Sequence, residues 1–392
     1  MERIGIYGGT FNPPHIGHIR AAKYAAHALN LEKILLIPSC ISPHKQLPSG
    51  SPTPEQRVRM LEISAEEKME VCDIELCRGG VSFTFQTVEQ LRELYPDKEL
   101  VLCMGTDMFL TFLSWREPQR ILKNVSLAVF YRGEKGELEQ IAAMKEKMES
   151  EGATVYLIEN PVTAISSTQL RRMLTFQCAA PFLPDGVGTF IRENGLYDTK
   201  ADYRKLSMDA LEQVVVSLLQ PNRVAHVLGC RDTAAELAKL WGVDETDAAR
   251  AGLLHDITKA LDGPLQLTLC EEYGIVLDEF SRKNYKTLHA LTGSLVAERI
   301  FGENTNVVSA IRSHTTGKPN MNTLEKILYV ADYMEPNRDF PGVEQLRALA
   351  YSDLDKALKL GLTMTIDLLK EQGREISPES AQALAWLQQA GV

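Results

Sequence analysis

The first half of the chain alternates short apolar runs with amphipathic stretches. Ile4–Tyr7, Lys33–Pro38, Glu70–Leu76, Leu100–Met104, Ser126–Tyr131 and Thr154–Ile158 predict strands. Between them, His18–Leu29, Pro54–Glu67, Thr84–Leu94, Pro118–Lys123 and Glu137–Glu149 predict helices, with two more at Ser167–Leu174 and Gly186–Asn194. Strand–helix alternation implies an α/β doubly wound, mostly parallel sheet, whose ligands sit beyond the carboxyl ends of the strands at a topological switch point.

From Tyr203 onward the strand signal vanishes. Helical periodicity runs through 203–219, 222–241, 244–254, 287–301, 304–313, 322–334 and 353–370, so an all-α domain is expected. The expected domains are residues 1–199 and 200–392, joined by a short linker. No internal repeat or low-complexity tract interrupts either.

Composition narrows the partners. Lys and Arg number 22 against 25 Asp and Glu in residues 1–200, and 20 against 27 thereafter. Neither half is basic, which argues against a nucleic-acid polymer. Small anionic nucleotides then need local devices such as helix N-termini, placed cations or metal ions. No run of about 20 apolar residues predicts a membrane span. Met1–Tyr7 reads as a strand and not as a signal peptide, so a cytoplasmic protein is expected. The seven cysteines are scattered without a Cys-x-x-Cys pair, and buried, reduced thiols are expected. A homo-oligomer is left open.

The string Gly8-Gly9-Thr10-Phe11-Asn12-Pro13-Pro14-His15-Ile16-Gly17-His18 follows the first strand. Glycines let backbone approach a ligand closely. His15 and His18, three apart at a helix start, share a face where free N–H groups favour phosphate. Two imidazoles there can donate to a triphosphate as charge develops. A second cluster, Ile165-Ser166-Ser167-Thr168-Gln169-Leu170-Arg171, puts hydroxyls at a helix start and an arginine one turn in, a second phosphate cradle.

With Ser42-Pro43-His44-Lys45, these strings resemble bacterial nicotinate-nucleotide adenylyltransferases over about residues 1–198. The resemblance implies a nucleotidyltransferase domain that moves AMP from ATP to nicotinate mononucleotide, giving the deamido dinucleotide and pyrophosphate. It implies His15, His18 and Arg171 as catalytic. Gly8, Gly9, Thr10, Phe11, His44, Lys45, Gly105, Asp107, Arg116, Ser166, Ser167 and Thr168 would contact nucleotides. Thr84 would receive the nicotinate carboxylate through nearby backbone amides, and Trp115 would stack on the pyridine. Phe83 and Phe85 stand where tyrosine is frequent in that family. Mg²⁺ would accompany ATP.

The helical half holds four histidines, His226, His255, His289 and His314, each expected in a separate helix, with Asp256 beside His255 and Asp332 later. Imidazoles and carboxylates in this number suit first-row transition metals. The order His…His-Asp…His…His…Asp resembles the HD superfamily of metal-dependent phosphohydrolases. The strings around His255-Asp256-Ile257-Thr258-Lys259, His314-Thr315-Thr316-Gly317 and Asp332–Arg338 resemble its branch that splits diadenosine tetraphosphate symmetrically into two ADP. The resemblance implies that His226, His255, Asp256 and Asp332 hold an iron. His289 and His314 would hold a second metal or the scissile phosphate, while Lys259, Thr315 and Arg338 contact the polyphosphate. Manganese and zinc remain chemically open, as do another nucleotide substrate and a regulatory nucleotide-binding module.

Overall fold

The structure, a computed structural model, describes residues 2–42, 47–48, 50–131, 136–160 and 165–392. The chain folds as two compact units, Met1–Ala201 and Asp202–Val392.

The first unit is built on six parallel strands: β1 (Arg3–Gly9), β2 (Lys33–Pro38), β3 (Met69–Val71), β4 (Glu99–Gly105), β5 (Ser126–Tyr131) and β6 (Val155–Glu159). Their order is β3-β2-β1-β4-β5-β6, so the sheet reverses its winding between β1 and β4. Successive side chains of a strand face opposite sides of a sheet. Ile4, Ile6, Leu35, Ile37, Leu100, Leu102, Leu127 and Val129 accordingly join one buried cluster. The intervening Ile34, Leu36, Val101, Cys103, Ala128 and Phe130 join the cluster on the other face. Burial on both faces explains why these strands read as continuous apolar runs.

The stretch expected as a strand over Glu70–Leu76 is instead divided. β3 stops at Val71, and Ile74–Arg78 forms a short helix after Asp73. Cys72, Ile74 and Leu76 alternate with Asp73 and Glu75, a period of two that reads as a strand although Ile74–Arg78 turns helical. A further short helix, Thr106–Leu110, begins directly after β4.

The second unit is helical throughout its described elements. The helices carrying the residues of interest are Pro221–Trp241, Glu245–Leu254, Leu288–Arg299, Thr305–Ser313 and Thr323–Met334. Polar caps set their starts. Asp244 accepts from the Asp247 N–H at 2.8 Å, and Asn322 with Glu325 forms a reciprocal capping box. Helices at Gly263–Glu272, Glu279–Lys283, Val343–Ala350 and Pro378–Gln389 were not expected. Pro264 and Pro378 each sit in the first helical turn, where a missing N–H costs nothing.

Among the described residues no helix is long and apolar enough to cross a membrane. Cys103, Cys178, Cys230 and Cys270 are buried, Cys40 and Cys72 half-buried, and Cys77 exposed, which corrects the expectation that all seven lie inside.

Candidate functional sites

A cavity of about 980 Å³ opens at the carboxyl ends of β1, β4 and β5. Its position is the switch point that the strand order creates. Gly8 and Gly105 line it, and a Cβ at either would meet no atom within 4 Å, so both leave backbone open to a ligand.

His15 caps the helix Ile16–Ala28, and its own N–H donates to His18 Nδ1 at 3.2 Å. The two rings stack with centroids 3.5 Å apart. Burial pushes the His15 imidazole down to about 3, and its Nδ1 has no hydrogen-bond partner among the described residues. His15 is therefore a neutral group with an unused polar atom beside the cavity.

The helix Ser167–Thr175 faces the same loop. Arg171 donates to the Asn12 carbonyl at 2.7 Å and to Thr168 Oγ1 at 3.1 Å, while Ser167 Oγ donates to the Pro13 carbonyl at 3.0 Å. Ser166 accepts from the Gln169 N–H as an N-cap. Arg171 and Ser167 thus grip the loop between β1 and its helix as well as lining the cavity.

Of the residues expected here, Gly8, Gly9, Thr10, His15, His18, Thr84, Gly105, Asp107, Trp115, Ser166, Ser167, Thr168 and Arg171 line this one cavity. Phe11 does not. It is buried behind the loop, with its ring edge-on to His18 at 5.0 Å. Arg116 is also outside the lining, exposed with its guanidinium 4.5 Å over the Phe83 ring. His44 and Lys45 lie outside the described residues.

Sequence reasoning missed three supports. Asn12 is 1% exposed, its Nδ2 donates to Ser51 at 2.9 Å and its Oδ1 accepts from Tyr197 at 2.8 Å. Arg57, also buried, donates to the Thr10 carbonyl at 3.0 Å. Asn12 stood inside the motif and could have been singled out. Nothing near Arg57 or Tyr197 in sequence announces a role.

In the second unit four imidazoles converge. His226 Nε2 lies 3.3 Å from His255 Nε2 and 3.1 Å from Asp332 Oδ1. His289 Nε2 lies 3.2 Å from His314 Nε2 and 3.4 Å from Asp256 Oδ1. Two groups have ligand atoms within 4.8 Å of one another: His226, His255 and Asp332, and His255, Asp256 and His314.

The opposite ring nitrogens explain the convergence. His255 Nδ1 meets the Gly252 carbonyl at 2.7 Å, His289 Nδ1 the Lys286 carbonyl at 2.8 Å, and His314 Nδ1 the Ile311 carbonyl at 2.7 Å. His226 Nδ1 instead meets Glu335 Oε1 at 3.1 Å. Each acceptor calls for a proton on Nδ1, which leaves the inward Nε2 with a lone pair. Burial holds His314 down at about 4 and His289 well below its usual value, so both are neutral as metal ligands must be. These donors fit a divalent transition metal.

His226 and His289 lie within helices as expected, but His255 and His314 are the C-cap residues of theirs. Both rings turn back onto the last helical turn, where their Nδ1 atoms bind the Gly252 and Ile311 carbonyls; the Ile311 carbonyl also accepts the His314 backbone N–H at 3.5 Å. The expected pairing of His289 with His314 is only half of the arrangement. His314 also groups with His255 and Asp256, and His289 Nε2 meets Lys259 Nζ at 2.9 Å.

Cations rim this buried centre. Arg338 Nη2 donates to Asp332 Oδ1 at 2.7 Å, and Arg223 donates to Asp256 Oδ2. Thr315 Oγ1 lies 3.1 Å from both His289 Nε2 and His314 Nε2. The side chains of Lys259, Arg223 and Arg338 remain 37%, 27% and 35% exposed, so the positive rim faces solvent. Arg223 and Glu335 were missed in sequence. Arg223 precedes His226 by one helical turn, a spacing that puts both on one face.

A Cytidylyltransferase-like family matches residues 6–173, and the HD domain family matches residues 223–337. A probable nicotinate-nucleotide adenylyltransferase of Borreliella afzelii is 35% identical over 51% of this chain and 99% of its own length. A symmetrical bis(5'-nucleosyl)-tetraphosphatase of Halalkalibacterium halodurans is 40% identical over 43% of this chain and 90% of its own. A solved HD superfamily hydrolase of Clostridium acetobutylicum, described as involved in NAD metabolism, is 37% identical, with a TM-score of 0.46 over 47% of this chain and 98% of its own. The chain therefore belongs to two families in tandem, that of the nicotinate-nucleotide adenylyltransferases through its first half and the HD-domain family of the symmetrical bis(5'-nucleosyl)-tetraphosphatase through its second.

Proposed function

We propose that the protein is bifunctional. The first unit transfers AMP from ATP to nicotinate mononucleotide, releasing pyrophosphate. The observation that carries this reading is that His15, His18, Ser166 and Arg171 line one cavity at the switch point, although they come from opposite ends of the unit. The acceptor phosphate is already ionised, so the site needs alignment and charge stabilisation and no general base. His15 and His18 sit where they can donate to the triphosphate, with the free N–H groups of their helix beside them. Mg²⁺ would enter with ATP, held mainly by phosphates and water. Thr84 opens the helix Thr84–Leu94, so unpaired backbone N–H groups are available there for the nicotinate carboxylate. Competition between nicotinate and nicotinamide mononucleotides tests this; a preference for the amide would overturn the acceptor assignment.

The second unit hydrolyses diadenosine tetraphosphate to two ADP. Four inward Nε2 atoms beside two aspartates, rimmed by cations, support this reading. His226, His255, Asp256, Asp332, His289 and His314 would hold iron or another divalent transition metal, as one ion or two. Such a metal supplies Lewis-acid activation of water and neutralises phosphate charge when bound. Lys259, Arg223 and Arg338 would attract and orient the polyphosphate at the rim, and Thr315 would donate to a phosphate oxygen. Chromatography of the products decides the substrate: two ADP is expected, and ATP plus AMP would exclude symmetrical cleavage. Hydrolysis of a different nucleotide in preference would favour the alternative that this unit serves another phosphoanhydride.

A further inference from the structure

The four imidazoles of the helical unit are not backed alike. Three give their Nδ1 protons to neutral backbone carbonyls, and only His226 gives its proton to a carboxylate, that of Glu335. Glu335 is 1% exposed, and it is built into place. Its Oε2 accepts from the Asn337 backbone N–H at 2.7 Å and from Asn337 Nδ2 at 2.8 Å. Gly229, one turn beyond His226 on the same helix, makes room for it. A Cβ there would fall 2.4 Å from Glu335 Oε2, so no other residue leaves the carboxylate where it is.

The aspartates do not offset this asymmetry. Asp332 is hydrogen-bonded by one guanidinium, that of Arg338, through its carboxylate. Asp256 is bonded by Arg223 and also has Lys259 Nζ at 3.9 Å. Asp256 Oδ2 also stands 3.7 Å from His226 Nε2 and 3.6 Å from His255 Nε2, so Asp256 borders both positions. The one Nε2 lone pair of His255 serves a single ion; when that ion is held with His226, the second position keeps His314 and His289, both backed by neutral carbonyls. An anion behind an imidazole strengthens its Nε2 as a donor more than a neutral carbonyl does.

From this we infer that Glu335 is a positioning residue that makes the His226–His255–Asp332 position the tighter of the two, so that it fills before the position formed with Asp256 and His314. The inference rests on the helical unit being a metal site, and it is independent of which nucleotide the unit hydrolyses.

The test is a calorimetric titration of the metal-free full chain with Co²⁺ alone. The wild type shows two steps of different affinity. Glu335→Gln keeps the shape of the side chain and removes its charge. It weakens the tight step by roughly 10–100-fold and the weak step by less. Asn337→Ala, which removes a donor from Oε2 and frees the carboxylate to turn, shifts the tight step in the same direction by less. A single step in the wild type, an unchanged isotherm in Glu335→Gln, or equal weakening of both steps would overturn the inference. Far-ultraviolet dichroism checks the helices; if Glu335→Gln loses helix, Asn337→Ala decides. No nucleotide enters the measurement, so an error in the assigned substrate leaves the isotherms as they are.

Discussion

The Tyr197 hydroxyl donates to Asn12 Oδ1 across 2.8 Å, joining positions 185 residues apart in the chain. Asn12 lies in the loop that presents His15 and His18, and its carbonyl is held by Arg171. The last turn of the first unit thus fastens the first loop of the same unit. Tyr197→Phe leaves a buried Asn12 oxygen unpaired. The expected loss of stability is about 1–3 kcal/mol. Urea unfolding of the full chain, followed through the transition of the first unit, measures it. An unchanged midpoint would mean that the Asn12 oxygen finds another donor.

The buried His15 carries a pH dependence. Its folded pKa is lowered to about 3 by burial, below the ordinary 6.5. A proton therefore favours the unfolded chain. The associated stability is fully present above about pH 6.5 and is lost as pH falls toward about 3. By pH 4 the difference amounts to about 3 kcal/mol. Between pH 7 and 4 the wild type should lose this much more stability than His15→Asn, measured as paired unfolding curves. Parallel curves would show that His15 takes up its proton readily in the folded state.

His18 lines the cavity and stacks on His15. Replacing it by Ala removes one donor to the developing phosphate charge. Adenylyl transfer should fall by on the order of 100–1000-fold, carried mainly by kcat. Hydrolysis by the helical unit should be retained. Transfer at the wild-type rate would remove His18 from the site.

Asp256 is buried, and it serves both as a candidate ligand and as the partner of Arg223. Asp256→Asn should remove the ion held with His314, read as a lower metal stoichiometry by elemental analysis, and should abolish phosphohydrolysis. Adenylyl transfer, assayed in the same preparation, should stay intact. Metal retained at the wild-type stoichiometry would show that the imidazoles and Asp332 suffice.

The motifs were legible because their chemistry is local. Glycines, proline and two histidines at a strand end already specify a phosphate-facing turn, and His15 and His18 share a helix face by their spacing alone. The division of Glu70–Leu76 into strand and helix was not legible, because Cys72, Ile74 and Leu76 keep a period of two across the boundary. The helices Gly263–Glu272 and Pro378–Gln389 were hidden because a proline in the first turn marks a loop as readily as a helix start.

Residue identity and periodicity determined the alternation of the main strands and helices, the change from α/β to all-α, and the residue types present for each chemistry. Tertiary structure decided which of those groups meet. Phe11 turned behind the loop while Asn12 became its anchor, because only packing settles whether a side chain next to a motif faces the ligand or the core. Arg57, Tyr197, Arg223 and Glu335 took their places for the same reason. Each acts across a hydrogen bond to a residue distant in the chain or on a neighbouring turn, and a sequence pattern records side chains one at a time, not the pairs that folding brings within 3 Å or so of one another.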